Sequence, residues 1–293
     1  MIRKLIAHVF AVLLVTACQP HGNAMPNAEK IDWKSLEFTC NQEKNPPLDP
    51  EADAWYRHAR DLQKRDQDKY IHTIVELFQK AIVRNHYNAM HRLALLYIDG
   101  YEGSKPDEHK AVELIERVIK LNVASGYYQM GVFLEQGIGV KQDRAASLTY
   151  MRKAADMGNP QGQLAAGKKM IEDFLQTPER ERVVPIGKAM LECALKQDLA
   201  KAGYELGVHY AMVEENSELA LKSLQAAAAL GDGDSLFRLH STFADGKYGA
   251  KTDPQRAACY ERLWRESEAD KTKRFPNLNI ICPLPPMPMP SVR

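Results

Sequence analysis

From about residue 53 to 269 the apolar side chains recur at i, i+3 and i+4, as in Leu114/Ile115/Val118 and Leu221/Leu224, and polar turns interrupt them at regular intervals. That spacing predicts helices in series, each with one buried stripe. Five sextets can be stacked: Ala89-Met-His-Arg-Leu-Ala94, Gly126-Tyr-Tyr-Gln-Met-Gly131, Gly162-Gln-Leu-Ala-Ala-Gly167, Ala202-Gly-Tyr-Glu-Leu-Gly207 and Ser235-Leu-Phe-Arg-Leu-His240. Their spacings are 37, 36, 40 and 33 residues, the length of a helix hairpin. Small residues stand first and sixth, as a second helix lying close requires; His240 alone breaks the rule.

Each sextet opens a first helix, and a turn then leads to a second. In Gly137-Ile-Gly-Val-Lys-Gln-Asp143 the glycines end one helix and Asp143 caps the next, and Gly100–Asp107 and Gly246–Asp253 are similar. Second helices are predicted at Ala111–Leu121, Ser147–Met157, Gly187–Gln197, Ala220–Leu230 and Pro254–Glu266, with a long Pro-containing loop at Thr177–Pro185 and a short one at Glu214–Asn216. Trp55–Lys64 and Tyr70–Val83 read as a further pair that caps the N-terminal end. One pair cannot bury its own stripe, but stacked pairs can. The expected fold is all-α, a right-handed α-solenoid of about five to six helix hairpins over 53–269, flanked by an irregular N-terminal tether and a Pro-rich C-terminal tail.

The run Gly137-Ile-Gly-Val-Lys-Gln-Asp143, with Met151-Arg-Lys-Ala-Ala-Asp-Met-Gly158-Asn-Pro160 after it, resembles the Sel-like repeat, a relative of the tetratricopeptide repeat, over about 87–270. The resemblance implies that the first helices line a concave groove. The third, seventh and tenth residues from each sextet start would face it: His91, Leu95, Ile98; Tyr128, Val132, Glu135; Leu164, Lys168, Ile171; Tyr204, Val208, Ala211; Phe237, Ser241, Ala244. The eleventh adds Asp99, Gln136, Glu172, Met212 and Asp245. Such a surface, aromatic and apolar with acidic spots, suits a protein partner. Tyr128, Tyr204 and Phe237 are its expected anchors.

Arg3 and Lys4 precede a mostly apolar run from Leu5 to Ala17, too short to cross a bilayer and readable as a secretory signal. It ends Val15-Thr16-Ala17-Cys18, which resembles a bacterial lipobox, so residues 1–17 are the expected signal peptide and Cys18 the lipidated residue. Gln19 after the cysteine favours the outer membrane in the lipoproteins it resembles. Cleavage would leave 37 basic against 38 acidic side chains, Arg3 and Lys4 having gone, so the acyl chains rather than charge would hold the membrane. Residues 18–52 form the anchored, extended N-terminal segment, with 19–30 as a tether. Cys40, Cys193, Cys259 and Cys282 remain for disulfides in an oxidising compartment, with three pairings open.

Charge and motifs exclude more than they propose. The whole chain carries 39 Lys+Arg and 38 Asp+Glu, with no basic run to hold nucleic acid. Gly162–Lys169 mimics a phosphate loop but lies within a repeat helix and lacks the hydroxyl after its lysine. No C-x-x-C, H-E-x-x-H or G-x-S-x-G occurs, and His86 and His91 are five apart, off metal spacing, which reads as a surface role. No catalytic residue, metal or cofactor is expected, and carboxylates such as Glu113/Glu116 read as solvated faces. In residues 270–293, five prolines from Pro283 to Pro290 favour an extended polyproline strand, lying on its own solenoid or offered to another domain.

The flanks Phe38-Thr-Cys-Asn-Gln-Glu43, Pro46–Asp53 and Ile281-Cys-Pro-Leu-Pro-Pro286 resemble Sel-like-repeat lipoproteins found beside type VI secretion genes. Some of these are immunity proteins that bind and block a phospholipase D-type effector. The resemblance thus implies a non-enzymatic periplasmic lipoprotein gripping a secreted lipase toxin. The alternative is an envelope scaffold or regulatory adaptor for a secretion or cell-wall complex.

Overall fold

The computed structural model describes residues 37–101 and 104–290. The expected signal peptide, Cys18 and the 19–30 tether lie outside the described residues, among which there are helices and no strand. The helices are α1 (Pro50–Val83), α2 (Tyr87–Asp99), α3 (Glu108–Lys120), α4 (Ala124–Gln136), α5 (Arg144–Asp156), α6 (Pro160–Phe174), α7 (Arg180–Lys196), α8 (Ala200–Met212), α9 (Ser217–Ala229), α10 (Gly233–Asp245), α11 (Pro254–Ala269) and the single turn α12 (Leu278–Ile281). Each long helix packs on its chain neighbours, while α4 touches α6 and α6 touches α8. The first helices α2, α4, α6, α8 and α10 therefore form one layer and the second helices the other, an α-solenoid. No helix among the described residues is long and apolar enough to cross a membrane.

The predicted turn chemistry is present. Asp107, Asp143 and Asp253 accept from the backbone N–H groups of Lys110, Ala146 and Arg256, and Gly137 and Gly246 close α4 and α10 in the left-handed region. The sextet glycines admit close neighbours: a Cβ on Gly131 would stand 2.7 Å from Met151 Cγ, and one on Gly207 2.6 Å from Leu224 Cγ.

The first predicted pair is α1, which folds back on itself. On a straight helix Tyr56 and Phe78 would stand about 33 Å apart. Their ring centroids are 6.0 Å apart, and Arg84 pairs with Asp49 at 3.2 Å across the two ends. The fold-back is at Asp66, whose backbone is extended (φ −170°, ψ 96°) and whose carboxylate caps the second arm at Lys69 N–H, 3.1 Å away.

The helix α7 begins at Arg180, inside the segment expected to be a loop, and takes Pro185 within it. Val183 and Val184 are buried, so packing carries the helix back through the proline, whose missing donor falls at an exposed turn beside Glu181 and Arg182. His86 is also a correction, because it is fully buried rather than at the surface. Its Nδ1 accepts from Ala89 N–H at 3.1 Å to cap α2, and its ring stacks on Tyr56 at 4.6 Å.

At the five exits from a second helix to the next first helix, one position is always left-handed: Asn85, Asn122, Gly158, Asp198 and Gly231. The bonds that close the exit recur, as in Gly158 N–H to Ala155 C=O and Asn159 N–H to Ala154 C=O, both 3.0 Å. Asn and Asp tolerate this conformation. The two glycines answer a different demand, since the chain crosses directly above them. A Cβ on Gly158 would stand 2.4 Å from the carbonyl carbon of Gln42, and one on Gly231 2.1 Å from the carbonyl oxygen of Lys273.

Those crossings belong to the two terminal segments. Residues 37–49 form a strap over α5, α6 and α7. Cys40 is bonded to Cys193, Asn41 donates to Asp156 C=O at 3.2 Å, and the Asn41 carbonyl accepts from Gln163 and Gln197 at 3.3 Å each. Phe38 packs on the apolar cluster of Leu148, Met151 and Ala155. At the other end Cys259 is bonded to Cys282, and the Cys282 carbonyl accepts from Tyr260 at 2.7 Å and Gln225 at 2.9 Å. The tail is not the extended polyproline strand its composition predicts. It makes one helical turn at α12 and then a reverse turn, with Met287 N–H on Leu284 C=O at 3.1 Å, because Arg256 gathers the carbonyls of Pro283 and Met287. It lies against α9 and α11, both second helices, rather than along the layer of first helices.

Candidate protein-binding groove

Side chains of successive first helices meet one another along the exposed face of their layer. His91 Nε2 lies 2.8 Å from Ser125 Oγ, joining α2 to α4. Lys169 reaches Glu135 at 3.1 Å, joining α4 to α6, and Lys168 reaches Glu205 at 3.0 Å, joining α6 to α8. Lys201 pairs with Asp234 at 3.2 Å, and Arg238 donates to the Tyr204 hydroxyl at 3.0 Å, joining α8 to α10.

The register deduced from sequence places Tyr128, Glu135, Lys168 and Tyr204 at partly exposed positions, and Asp99, Glu172, Phe237 and Asp245 at exposed ones. Leu95, Phe237 and Met212 are 41%, 48% and 64% exposed, large apolar groups left open to a partner. Ile171 differs from that register, being buried against α7 and α8 in the cluster of Val184, Leu191 and Leu206. The register missed Glu205, Lys169, Lys201 and Arg238. Glu205 and Arg238 hold the fourth sextet place and Lys169 the eighth, each one residue beyond the chosen positions, so a stripe a full turn wide would have included them. The face is consequently less acidic than expected, because lysines neutralise Glu135 and Glu205.

His91 is not a free surface group. Burial, with the neighbouring Arg92 charge second, pushes its imidazole down to about 4, so it is neutral at pH 7. A folded value below the unfolded 6.5 means that His91 contributes stability which is whole above about pH 6.5 and is lost as pH falls toward 4, at most about 3 kcal/mol. His91→Gln should flatten that acid limb in melting curves recorded from pH 7 to 4; an unchanged limb would assign the loss to other groups.

Among the described residues no group of three or more His, Cys, Asp or Glu could hold a metal ion. The face offers ring surfaces, apolar ends and matched charges, the makings of an adhesive surface.

Comparison with known proteins agrees with this architecture. The Sel1 repeat matches at residues 88–122, 124–159 and 197–232. The structure is similar to Pseudomonas aeruginosa 5086 (PA5086), 36% identical, over 87% of this chain and 97% of that one, with a TM-score of 0.64. It is similar also to the immunity proteins Pa5087 (35% identity, 86% and 96% covered, TM-score 0.63) and PA5088 (34%, 86% and 95%, 0.67) of the same bacterium. A Sel1 repeat protein from Oxalobacter formigenes, 21% identical over 75% of this chain and 91% of that one with a TM-score of 0.60, shares the fold. Repeat signature, helix-pair stacking and identity over nearly the whole length of the relatives place this chain in the Sel1-repeat family.

Proposed function

We propose that this protein is an immunity protein: a periplasmic lipoprotein, anchored through Cys18 to the outer membrane, that neutralises a type VI secreted lipase of the phospholipase D type by binding it in the groove of first helices. The observation that carries the reading is the identity of about one third with two immunity proteins, spread over nearly their whole length. The disulfides Cys40–Cys193 and Cys259–Cys282 support an oxidising compartment. Neutralisation needs no catalysis, since a solenoid that covers the mouth of an active site stops turnover by occupying it. Anchors such as Tyr128, Tyr204 and Phe237 would concentrate the affinity.

The test is to recover the protein's stoichiometric partner from its native envelope and to express that partner, with a secretion signal, in the periplasm of a host. The expected result is killing with loss of phospholipid, and survival when this protein is co-expressed with its Cys18 leader. A harmless partner, or an envelope defect on deleting this protein where no toxin is present, would overturn immunity in favour of a scaffold. Tyr128→Ala/Tyr204→Ala should weaken the complex while leaving helicity intact; unchanged affinity in a titration would move the contact off this face.

A further inference from the structure

We propose that Arg238, with Phe237 and Trp264 beside it, is a receptor for a side-chain carboxylate that lies next to an aromatic or large apolar residue on a loop of the protein partner. The inference rests on the groove reading above and specifies which part of the groove recognises what.

Three groove cations are already matched, Lys168 by Glu205, Lys169 by Glu135 and Lys201 by Asp234. Arg238 is placed differently. The partners of its guanidinium are two phenols, Tyr204 on the preceding first helix at 3.0 Å and Tyr248 in the turn after α10. It also lies 5.4 Å from the Tyr204 ring centroid and 5.8 Å from that of Tyr248. Neutral hydroxyls fix the fork in place without cancelling its charge. A half-buried guanidinium held this way has spare donors and a standing positive charge, and a carboxylate is the group its planar fork matches in two parallel bonds.

The mounting of Tyr248 points the same way. Its backbone is in the left-handed region at φ 51°, which costs a residue with a bulky side chain about 1–2 kcal/mol. That conformation sets the phenol against Arg238, so local strain sits where the guanidinium is oriented. Next to it Phe237 is 48% exposed and stacks obliquely on Trp264 with centroids 4.9 Å apart. Arginine, tyrosine and tryptophan, brought together here from α10, α8 and α11, are the residue types that dominate protein interfaces. An acidic side chain alone would leave the aromatic pair wet, and an apolar one alone would bury the Arg238 charge without a counter-charge. A loop presenting both satisfies both.

The experiment uses the full disulfide-bonded protein with Trp33→Phe/Trp55→Phe, so that Trp264 fluorescence reports on this end of the groove. The probe is the stoichiometric partner recovered above. Arg238→Gln is expected to weaken the complex roughly a hundredfold, and Arg238→Lys, which keeps the charge but loses the fork, at least tenfold. Arg238→Glu should be restored by exchanging one Asp or Glu of the partner for Arg, found by scanning its acidic loop residues. Melting curves establish that each variant is folded. Folded Arg238→Gln that binds within twofold of wild type, or Trp264 emission that does not move on saturation, would overturn this receptor. A wild-type protein that binds no toxin would instead overturn the immunity reading, a distinct outcome.

Discussion

Cys40→Ser/Cys193→Ser is expected to lower the melting temperature by about 10 °C, more than Cys259→Ser/Cys282→Ser does. The two bridges differ in the chain they close: 153 residues for the first and 23 for the second. Loop-closure entropy removed from the unfolded state amounts to about 5 kcal/mol for the longer loop and about 3 kcal/mol for the shorter. The native side adds to the difference. The long bridge pins a strap whose Asn41 and Phe38 hold α5, α6 and α7 at once, whereas the short bridge fastens a tail on which Tyr260, Gln225 and Arg256 also hold. Circular dichroism at 222 nm during heating, with and without reductant, reads both effects. A larger loss from the short bridge would show that tail docking outweighs loop length. Because the strap spans the middle of the solenoid, its release should also loosen the groove where Lys168 and Lys169 sit.

Much of this was legible in the sequence, and the limits have physical causes. The small residues in the sextets and the Asp caps located the helix hairpins, since both are local requirements of two helices meeting and of a helix starting. The start of α7 was not legible, because Pro185 argues locally against a helix while the burial of Val183 and Val184, which overrides it, is tertiary. The exits at Asn85, Asn122 and Asp198 went unread because their left-handed backbone hides behind ordinary polar residues. The cysteine pairing could not be read either, as Cys40 reaches Cys193 only after the strap has crossed the second helices. At the groove, the register that the repeat resemblance implies selects Tyr128, Tyr204 and Phe237, and these lie at partly or fully exposed places. It did not select Arg238, whose meaning lies in what surrounds it: two phenols from different elements and, among the described residues, no carboxylate ion pair.

Gly158→Asn separates the two demands that meet at the exit turns, and it is expected to cost about 2–3 kcal/mol. Asparagine accepts the left-handed backbone, as Asn85 and Asn122 do at the same position of their own repeats. Conformation alone therefore predicts a small effect. The strap predicts a large one, since the new Cβ would stand 2.4 Å from the Gln42 carbonyl carbon, and backbone cannot swing aside as a side-chain tip can. To relieve that contact the strap must lift. It then gives up the bond from Asn159 to Glu43 at 2.7 Å and those from Gln163 and Gln197 to the Asn41 carbonyl, each net about 1 kcal/mol. The reverse change at an uncrossed exit, Asn122→Gly, should stay within about 1 kcal/mol, the entropy of one glycine. Urea denaturation of four proteins decides the cause: wild type, Gly158→Asn, Cys40→Ser/Cys193→Ser and the triple variant. With the bridge gone the strap is already loosened and those bonds are partly lost beforehand, so Gly158→Asn should then cost less than about half of what it does in the bridged protein. An equal cost in both backgrounds would mean that the glycine serves only its own turn. The same logic holds at Gly231, where the tail carbonyl of Lys273 takes the place of the strap.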